Sequence, residues 1–234
     1  MKKFLEFLFP NHCLFCQEII NRDALFCGCC WPKLKFITEP KCSICAYPFE
    51  IEIKHMKPFC AACLLKRPAY DKVVTIFRYN EIIGKAIGDL KYNDQTFLAQ
   101  KLAKLLGEKA KSEIDDCDLI CAVPLHVKKL RERKFNQAIL IGKYLSKKKF
   151  IPDLLWRIAD TVSQVSLRKE QREKNLKRAF LVNKKYRKEL VGKKILLFDD
   201  VMTTGATVEN CAKALRKCGV EKITILTIAK TIFD

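Results

Sequence analysis

Two rhythms divide the chain. From residue 72 onward, short apolar runs alternate with amphipathic stretches. Residues 73–77, 119–123, 154–158, 195–198 and 223–228 are apolar runs of strand length, and Pro124 stops the second of them. Residues 195–198 contain no polar position, as expected for a strand buried on both faces. Residues 81–92, 96–112, 135–147 and 205–218 place apolar side chains at helical spacing, and Gly219 stands where a helix cap is expected. Strands alternating with helices predict an α/β fold, with a mainly parallel sheet and helices on both faces. Residues 1–66 lack this alternation, and the boundary is expected near Lys66-Arg67-Pro68, giving a small module at 1–66 and an α/β domain at 67–234. Residues 4–9 predict a short first helix. Glu6 interrupts them and no small-residue cleavage site follows, unlike a signal peptide. No apolar run reaches the roughly 18–20 residues that a membrane helix needs. The expectation is a cytoplasmic protein with no integral membrane segment, peripheral contact at the inner face of the membrane remaining open.

Composition adds a second contrast. A chain of 234 residues suits one full core with a small extra module. An apolar share of 49% with only 8 Gly and 8 Pro excludes disorder. Nine of the 13 cysteines precede residue 64, and eight of them form C-x-x-C pairs: Cys13/Cys16, Cys27/Cys30, Cys42/Cys45 and Cys60/Cys63. Such a turn presents two thiolates along one edge of a tetrahedron, and two turns close a four-thiolate zinc site. Two structural Zn2+ ions are expected, because a segment this short has too little core to fold well without metal. Tandem and cross-braced pairings both fit. Cys29 could replace Cys30, and His12 is a lesser candidate. Trp31, Tyr47 and Phe59 are read as fillers of the ribbon cores in preference to base-stacking groups. Cys117, Cys121, Cys211 and Cys218 are read as small core fillers.

The most informative stretch is Ile195-Leu-Leu-Phe-Asp199-Asp200-Val201-Met202-Thr203-Thr204-Gly205-Ala206-Thr207. A buried strand delivers two acids, expected to be exposed, into a Thr/Gly loop that opens a helix. In an open α/β sheet, ligands sit outside the carboxyl ends of the strands. Backbone amides, hydroxyls and the positive end of the helix dipole suit a phosphate monoester. Asp199 and Asp200 suit the vicinal hydroxyls of a ribose carrying that phosphate. Acids first, loop second and no Walker lysine separate this order from a P-loop.

These residues resemble the signature of the type I phosphoribosyltransferases, which bind 5-phosphoribosyl 1-pyrophosphate (PRPP). By that resemblance Asp199 and Asp200 hold the ribose, and Thr203, Thr204, Gly205, Ala206 and Thr207 hold the 5′-phosphate. Further segments narrow the likeness. Ala122-Val123-Pro124-Leu125-His126, Arg131-x-Arg133-Lys134-Phe135-Asn136-Gln137, Leu90-Lys91-Tyr92 and the run from Gln164 through Leu167, Arg172 and Asn175 to Phe180 resemble the ComF competence proteins. That family combines a double zinc ribbon with a phosphoribosyltransferase-like domain, so the likeness covers essentially the whole chain. It implies a pyrophosphate loop at Pro124, Leu125 and His126 with Arg133 close behind, Mg2+ accompanying PRPP, and a lid carrying a base such as Lys91 or Arg172. It also implies work in DNA uptake beside other competence proteins. Lys134 stands where the family usually has glycine. The alternative is an enzyme, a phosphoribosyltransferase acting on a base or amine.

Charge sharpens this. Of the net +19, residues 128–194 carry +16, whereas residues 1–66 carry only +3. A pyrophosphate needs few cations. The surplus favours a polyanion such as single-stranded DNA, with Lys128, Lys129, Arg131, Lys134, Arg168, Lys169, Arg172, Lys174, Lys177 and Arg178 as candidate contacts.

Overall fold

The computed structural model describes residues 11–20, 24–51, 58–92, 96–158 and 179–233. The expected first helix and most of the lid pattern, with Arg168, Lys169, Arg172, Lys174, Lys177 and Arg178, lie outside the described residues. Strands β1 (Asn11–His12) and β2 (Ile19–Ile20) pair antiparallel around the first cysteine turn. A 3-10 turn at Trp31–Lys33 and α1 (Ala61–Leu65), which carries Cys63, complete the described elements of the front module. The body continues with β3 (Lys72–Arg78), α2 (Glu81–Tyr92), α3 (Leu98–Lys109), α4 (Lys111–Asp116) and β4 (Leu119–Ala122). Then come α5 (Val127–Arg133), α6 (Gln137–Leu145), β5 (Leu155–Arg157) and β6 (Phe180–Val182). A 3-10 stretch at Lys184–Leu190 leads into β7 (Lys194–Met202), α7 (Ala206–Arg216) and β8 (Lys222–Lys230).

The main sheet is parallel throughout, in the order β3-β8-β7-β4. Side chains alternate along β7, so its two faces feed different layers. Leu196 and Phe198 join a core with α2, α3 and α6. Ile195 and Leu197 join the opposite core with Val208, Cys211 and Leu215 of α7. All four are essentially without exposure, which explains their unbroken apolar run.

The zinc module clamps the edge strand β3. Ile37 N–H donates to the Ile76 carbonyl at 2.8 Å, Arg78 N–H to Lys35 at 2.7 Å, and Val73 N–H to Ile44 at 2.6 Å. Cys13, Phe26, Cys27 and Cys30 belong to the α2–α3–α6 core, whereas Cys42, Ile44, Cys45 and Cys63 belong to the α7 core. A module too small for its own core therefore borrows one from each face of the sheet, and it covers an edge that would otherwise be open to pairing.

Several elements depart from the sequence pattern. The run at 154–158 forms β5, which stays outside the main sheet and pairs antiparallel with β6, a strand the pattern did not predict. Only three residues long, it exposes Trp156 between Leu155 and Arg157 and buries too little for a central strand. The helix expected over 96–112 breaks at Ala110 into α3 and α4. Helix α5 escaped notice because none of its residues is buried. Strand β7 continues through both acids to Met202. Helix α7 is capped at Lys217, and Gly219 takes its positive φ of 77° just beyond. Cys117, Cys121 and Cys211 are buried free thiols, and Cys218 is half-buried. Among the described residues no helix is long and apolar enough to cross a membrane.

Candidate functional site

The paired cysteines form two tandem clusters, Cys13/Cys16/Cys27/Cys30 and Cys42/Cys45/Cys60/Cys63, with all sulfur atoms of a cluster within 4.8 Å of one another. Cys16 and Cys27 sulfurs lie 3.5 Å apart, as do those of Cys45 and Cys60. Four sulfurs about 2.3 Å from a zinc ion sit about 3.8 Å apart, so the donor sets fit Zn2+. Both clusters use the same backbone turn. Gln17 and Ala46, each following the second cysteine of its turn, take positive φ values of 65° and 57°. Their amides return to the carbonyls of Cys13 and Cys42 at 3.1 and 2.9 Å. Burial pushes the leading thiols up, yet the surrounding amides outweigh it, bringing Cys13 down to about 6 and Cys42 to about 7. Backbone amides around each leading sulfur thus favour the thiolate form that a metal ion takes. Burial pushes the Cys45 thiol up, and the ammonium of Lys230 pulls against it. Cys29 is exposed and outside both clusters. The His12 ring meets the Gln17 carbonyl at 2.7 Å instead of a metal set. Tyr47 and Phe59 pack against the α7 core. Trp31 departs from expectation: it is 51% exposed, resting on Phe36 with ring centroids 5.5 Å apart.

The carboxyl end of β7 gathers the second site. Asp199 and Asp200 are consecutive strand residues, so their side chains diverge to opposite faces. The expectation of two exposed acids is corrected. Asp200 is only 5% exposed, and its carboxylate receives Lys91 Nζ and Gln137 Nε2, each at 2.8 Å. A buried carboxylate needs such partners, and here the protein supplies them from α2 and α6. Burial and the adjacent Asp200 charge push the Asp199 carboxyl up to about 8, against the pull of Lys91 and Arg157. Each carboxylate also accepts the next amide along the strand, Asp199 Oδ1 from Asp200 at 2.9 Å and Asp200 Oδ1 from Val201 at 2.6 Å.

Immediately beyond, Thr203, Thr204 and Ala206 are exposed, Val201, Gly205 and Thr207 half-buried, and Met202 buried. Gly205 caps α7 with φ 77°, a left-handed conformation that only glycine adopts without strain. Thr204 Oγ1 accepts the Ala206 amide at 3.4 Å. The turn offers hydroxyls and the amide end of an 11-residue helix to solvent.

Across from it, β4 ends and Pro124, Leu125 and His126 lead into α5, with Pro124 buried and the other two half-buried. Here lie two residues that sequence reasoning quoted without assigning a role. Asn136 is 6% exposed; its Nδ2 donates to the Val123 carbonyl at 3.0 Å, and its Oδ1 caps α6 through the Ala138 amide at 2.9 Å. Gln137, 3% exposed, begins α6 and reaches Asp200. The Asn-Gln pair therefore ties the β4 loop to the strand carrying the acids. Lys134 adopts φ 63° and ψ −25°, the left-handed cap of α5, so the turn keeps a backbone shape natural to glycine. Lys128, Arg131 and Lys134 are exposed and Lys129 and Arg133 half-buried on or beside α5, forming a basic flank next to the β4 loop. Part of the charge surplus is structural. Lys149 Nζ donates to the carbonyls of Ile114, Asp115 and Cys117 between 2.7 and 2.9 Å, at the end of α4.

Residues 4–64 match the family model of the double zinc ribbon domain, and residues 152–232 match that of the phosphoribosyl transferase domain. The chain is 30% identical over 232 residues to Competence protein F of Haemophilus influenzae, covering 95% of this chain and 98% of that one. It is 25% identical over 228 residues to DNA utilization protein YhgH of Escherichia coli K12, covering 94% and 90%. Competence protein ComFC of Bacillus subtilis is 26% identical over 226 residues, covering 88% and 89%.

Proposed function

Because the chain belongs to the ComF family of competence proteins, we propose that it binds PRPP at the carboxyl ends of β4 and β7 and single-stranded DNA on the flank beside them, on the cytoplasmic side during DNA uptake. In this reading the chain divides into a zinc module, 1–66, and a PRPP-binding domain, 67–234. One observation carries it. A strand fully buried over residues 195–198 carries two carboxylates near its carboxyl end and runs directly into a Thr/Gly turn at the amide end of α7. That places acceptors for two vicinal hydroxyls next to donors for a phosphate, in the order a ribose 5-phosphate requires.

The roles follow from the geometry. The amides and hydroxyls of 203–207 hold the 5′-phosphate, with Gly205 keeping the backbone close. Asp199 and Asp200 approach the ribose hydroxyls from the two faces of β7, and Gln137 and Lys91 fix Asp200 in place. Pro124, Leu125 and His126 form the wall for the pyrophosphate, with Arg133 and Lys91 as the nearby cations. Asp199, Asp200 and the β4 loop would hold Mg2+ through its waters, and the ion would supply charge neutralisation there. The names of the Escherichia coli and Haemophilus influenzae relatives, with their DNA and competence wording, support a role in taking up or using DNA. The basic flank of α5 suits the polyanion.

The test is a double substitution, Asp199→Ala with Asp200→Ala. Calorimetry with Mg2+ should show PRPP affinity lost by at least about 100-fold, the scale set by losing charge-assisted contacts. Two zinc equivalents and the fold should persist, and unchanged PRPP affinity overturns the site. For DNA, about six neutralised phosphates give a slope of log affinity on log salt of about −4. A slope near zero overturns the nucleic-acid half of the proposal.

A further inference from the structure

Lys230, the last residue of β8, is a buried cation that the reading above leaves without a task. It is 7% exposed, and its Nζ donates to the Cys45 carbonyl at 2.5 Å. Among the described residues no carboxylate pairs with it. A buried ammonium satisfied only by a carbonyl is costly unless a counter-charge lies close by. The second metal centre supplies one: Zn2+ on four thiolates leaves two net negative charges beside Cys45. Among the described residues the first centre shows no buried lysine against a ligand carbonyl. Lys85, which donates to the Phe15 carbonyl within its first cysteine turn, is solvent-exposed.

Lys230 also stands next to the phosphate turn. It is in register with Met202 on β7, and the following amide, Thr231 N–H, donates to the Met202 carbonyl at 2.9 Å. Met202 lies under Gly205, so closely that a Cβ there would come within 2.6 Å of its Cε. The hydroxyl of Tyr70, a buried residue, lies 3.9 Å from the same point. Next to Tyr70, the Ala69 amide donates to Glu209 Oε2 in the first turn of α7 at 2.8 Å. From the second centre to the turn is thus two residues, Lys230 and Met202.

The geometry points to Lys230 as a positioning residue that couples the charge of the second zinc centre to the turn at 203–205. With metal in that centre, the ammonium stays seated against Cys45. The end of β8 then stays in register, and Met202 keeps the floor under Gly205. The first zinc centre has no part in this. The inference rests on the PRPP reading only for its second readout.

The experiment uses the full, zinc-loaded chain and a chromogenic zinc chelator, with alkylation of freed cysteines and mass spectrometry assigning each release to a centre. In Lys230→Met, the second centre should release zinc about tenfold faster while the first keeps its wild-type rate, and PRPP affinity should weaken about tenfold. Lys230→Arg, which keeps the charge, should stay within about threefold of wild type on both readouts. Equal release from both centres at wild-type rates in Lys230→Met overturns the coupling, as does faster release with unchanged PRPP affinity. If the methionine variant does not fold, the wild type still decides. Binding of PRPP with Mg2+ should raise the zinc affinity of the second centre alone, by reciprocity, measured as the chelator concentration that strips half of its metal at equilibrium, and a zinc affinity unaffected by bound PRPP overturns the proposal. A wild-type chain that binds no PRPP refutes the site reading, and the release rates of Lys230→Met and Lys230→Arg then judge the role of Lys230.

Discussion

The two zinc centres have the same ligands and the same backbone turn, yet they sit in different molecules, physically speaking. The first is seated over α2, α3 and α6, with an exposed lysine at its edge and the half-exposed Trp31 on its flank. The second is seated over α7, with a buried lysine at its back and the hydroxyl of Tyr70 reaching toward the turn at Gly205. A repeated motif therefore does not imply a repeated task. What distinguishes the centres is not ligation but what the carbonyls and neighbours of the ligands touch. The first closes a small module onto the sheet. The second borders the amino end of β3 through Ile44 and Val73, and reaches the carboxyl end of the sheet, where ligands of α/β sheets bind, through Lys230.

The largest expected effect tests that contrast directly. Cys27→Ser and Cys45→Ser should each lose one zinc and lower the thermal midpoint by about 10 °C or more, since metal binding is folding free energy. Only Cys45→Ser should also weaken PRPP binding in calorimetry, by more than about tenfold. Equal PRPP losses in the two variants would erase the distinction.

A smaller effect probes the α7 layer through pH. Asp199 keeps its proton in the folded chain up to about 8, whereas an ordinary unfolded aspartate releases it near 3.8. Between those values the folded state binds the extra proton, so stability falls as pH rises through the window. Asp199→Asn should remove the decline, gaining on wild type by at most about 1.4 kcal/mol per pH unit. Urea titrations at pH 4.5, 6 and 7.5, pH values chosen at about even steps across the window, measure it. Parallel curves would remove the perturbed carboxyl from the site.

The smallest concerns the first module. Trp31→Ala should change single-stranded DNA affinity by less than about twofold, because Trp31 leans on Phe36 and the module carries little charge. A loss near tenfold, the worth of one stacked base, would give the first ribbon a nucleic-acid face.

The parts that were legible from sequence are local ones. Cysteine spacing set the two clusters, and the run from Asp199 to Thr207 marked the strand end and helix start, because each packs its chemistry into a few consecutive residues. Tandem pairing was not legible, since both pairings satisfy the same spacing. The burial of Asp200 was missed because its partners, Lys91 and Gln137, come from two distant helices. Lys134 looked doubtful as a glycine substitute, but a long polar side chain at a solvent-facing cap can hold φ 63°. Lys230 reads as the polar end of a strand, and only the fold turns it toward Cys45.

The strand order has a consequence for how the chain assembles. Strand β3 pairs with β8, from the opposite end of the described chain, and the zinc module pairs with β3. During synthesis the ribbons can capture metal early, yet the β8 side of β3 must wait unpaired until residues 222–230 leave the ribosome. Any stall or truncation before that point would strand a metal-loaded front end on a hydrophobic, half-paired edge, a species prone to aggregate. A strand late in the described chain is the one that joins β3 to β7.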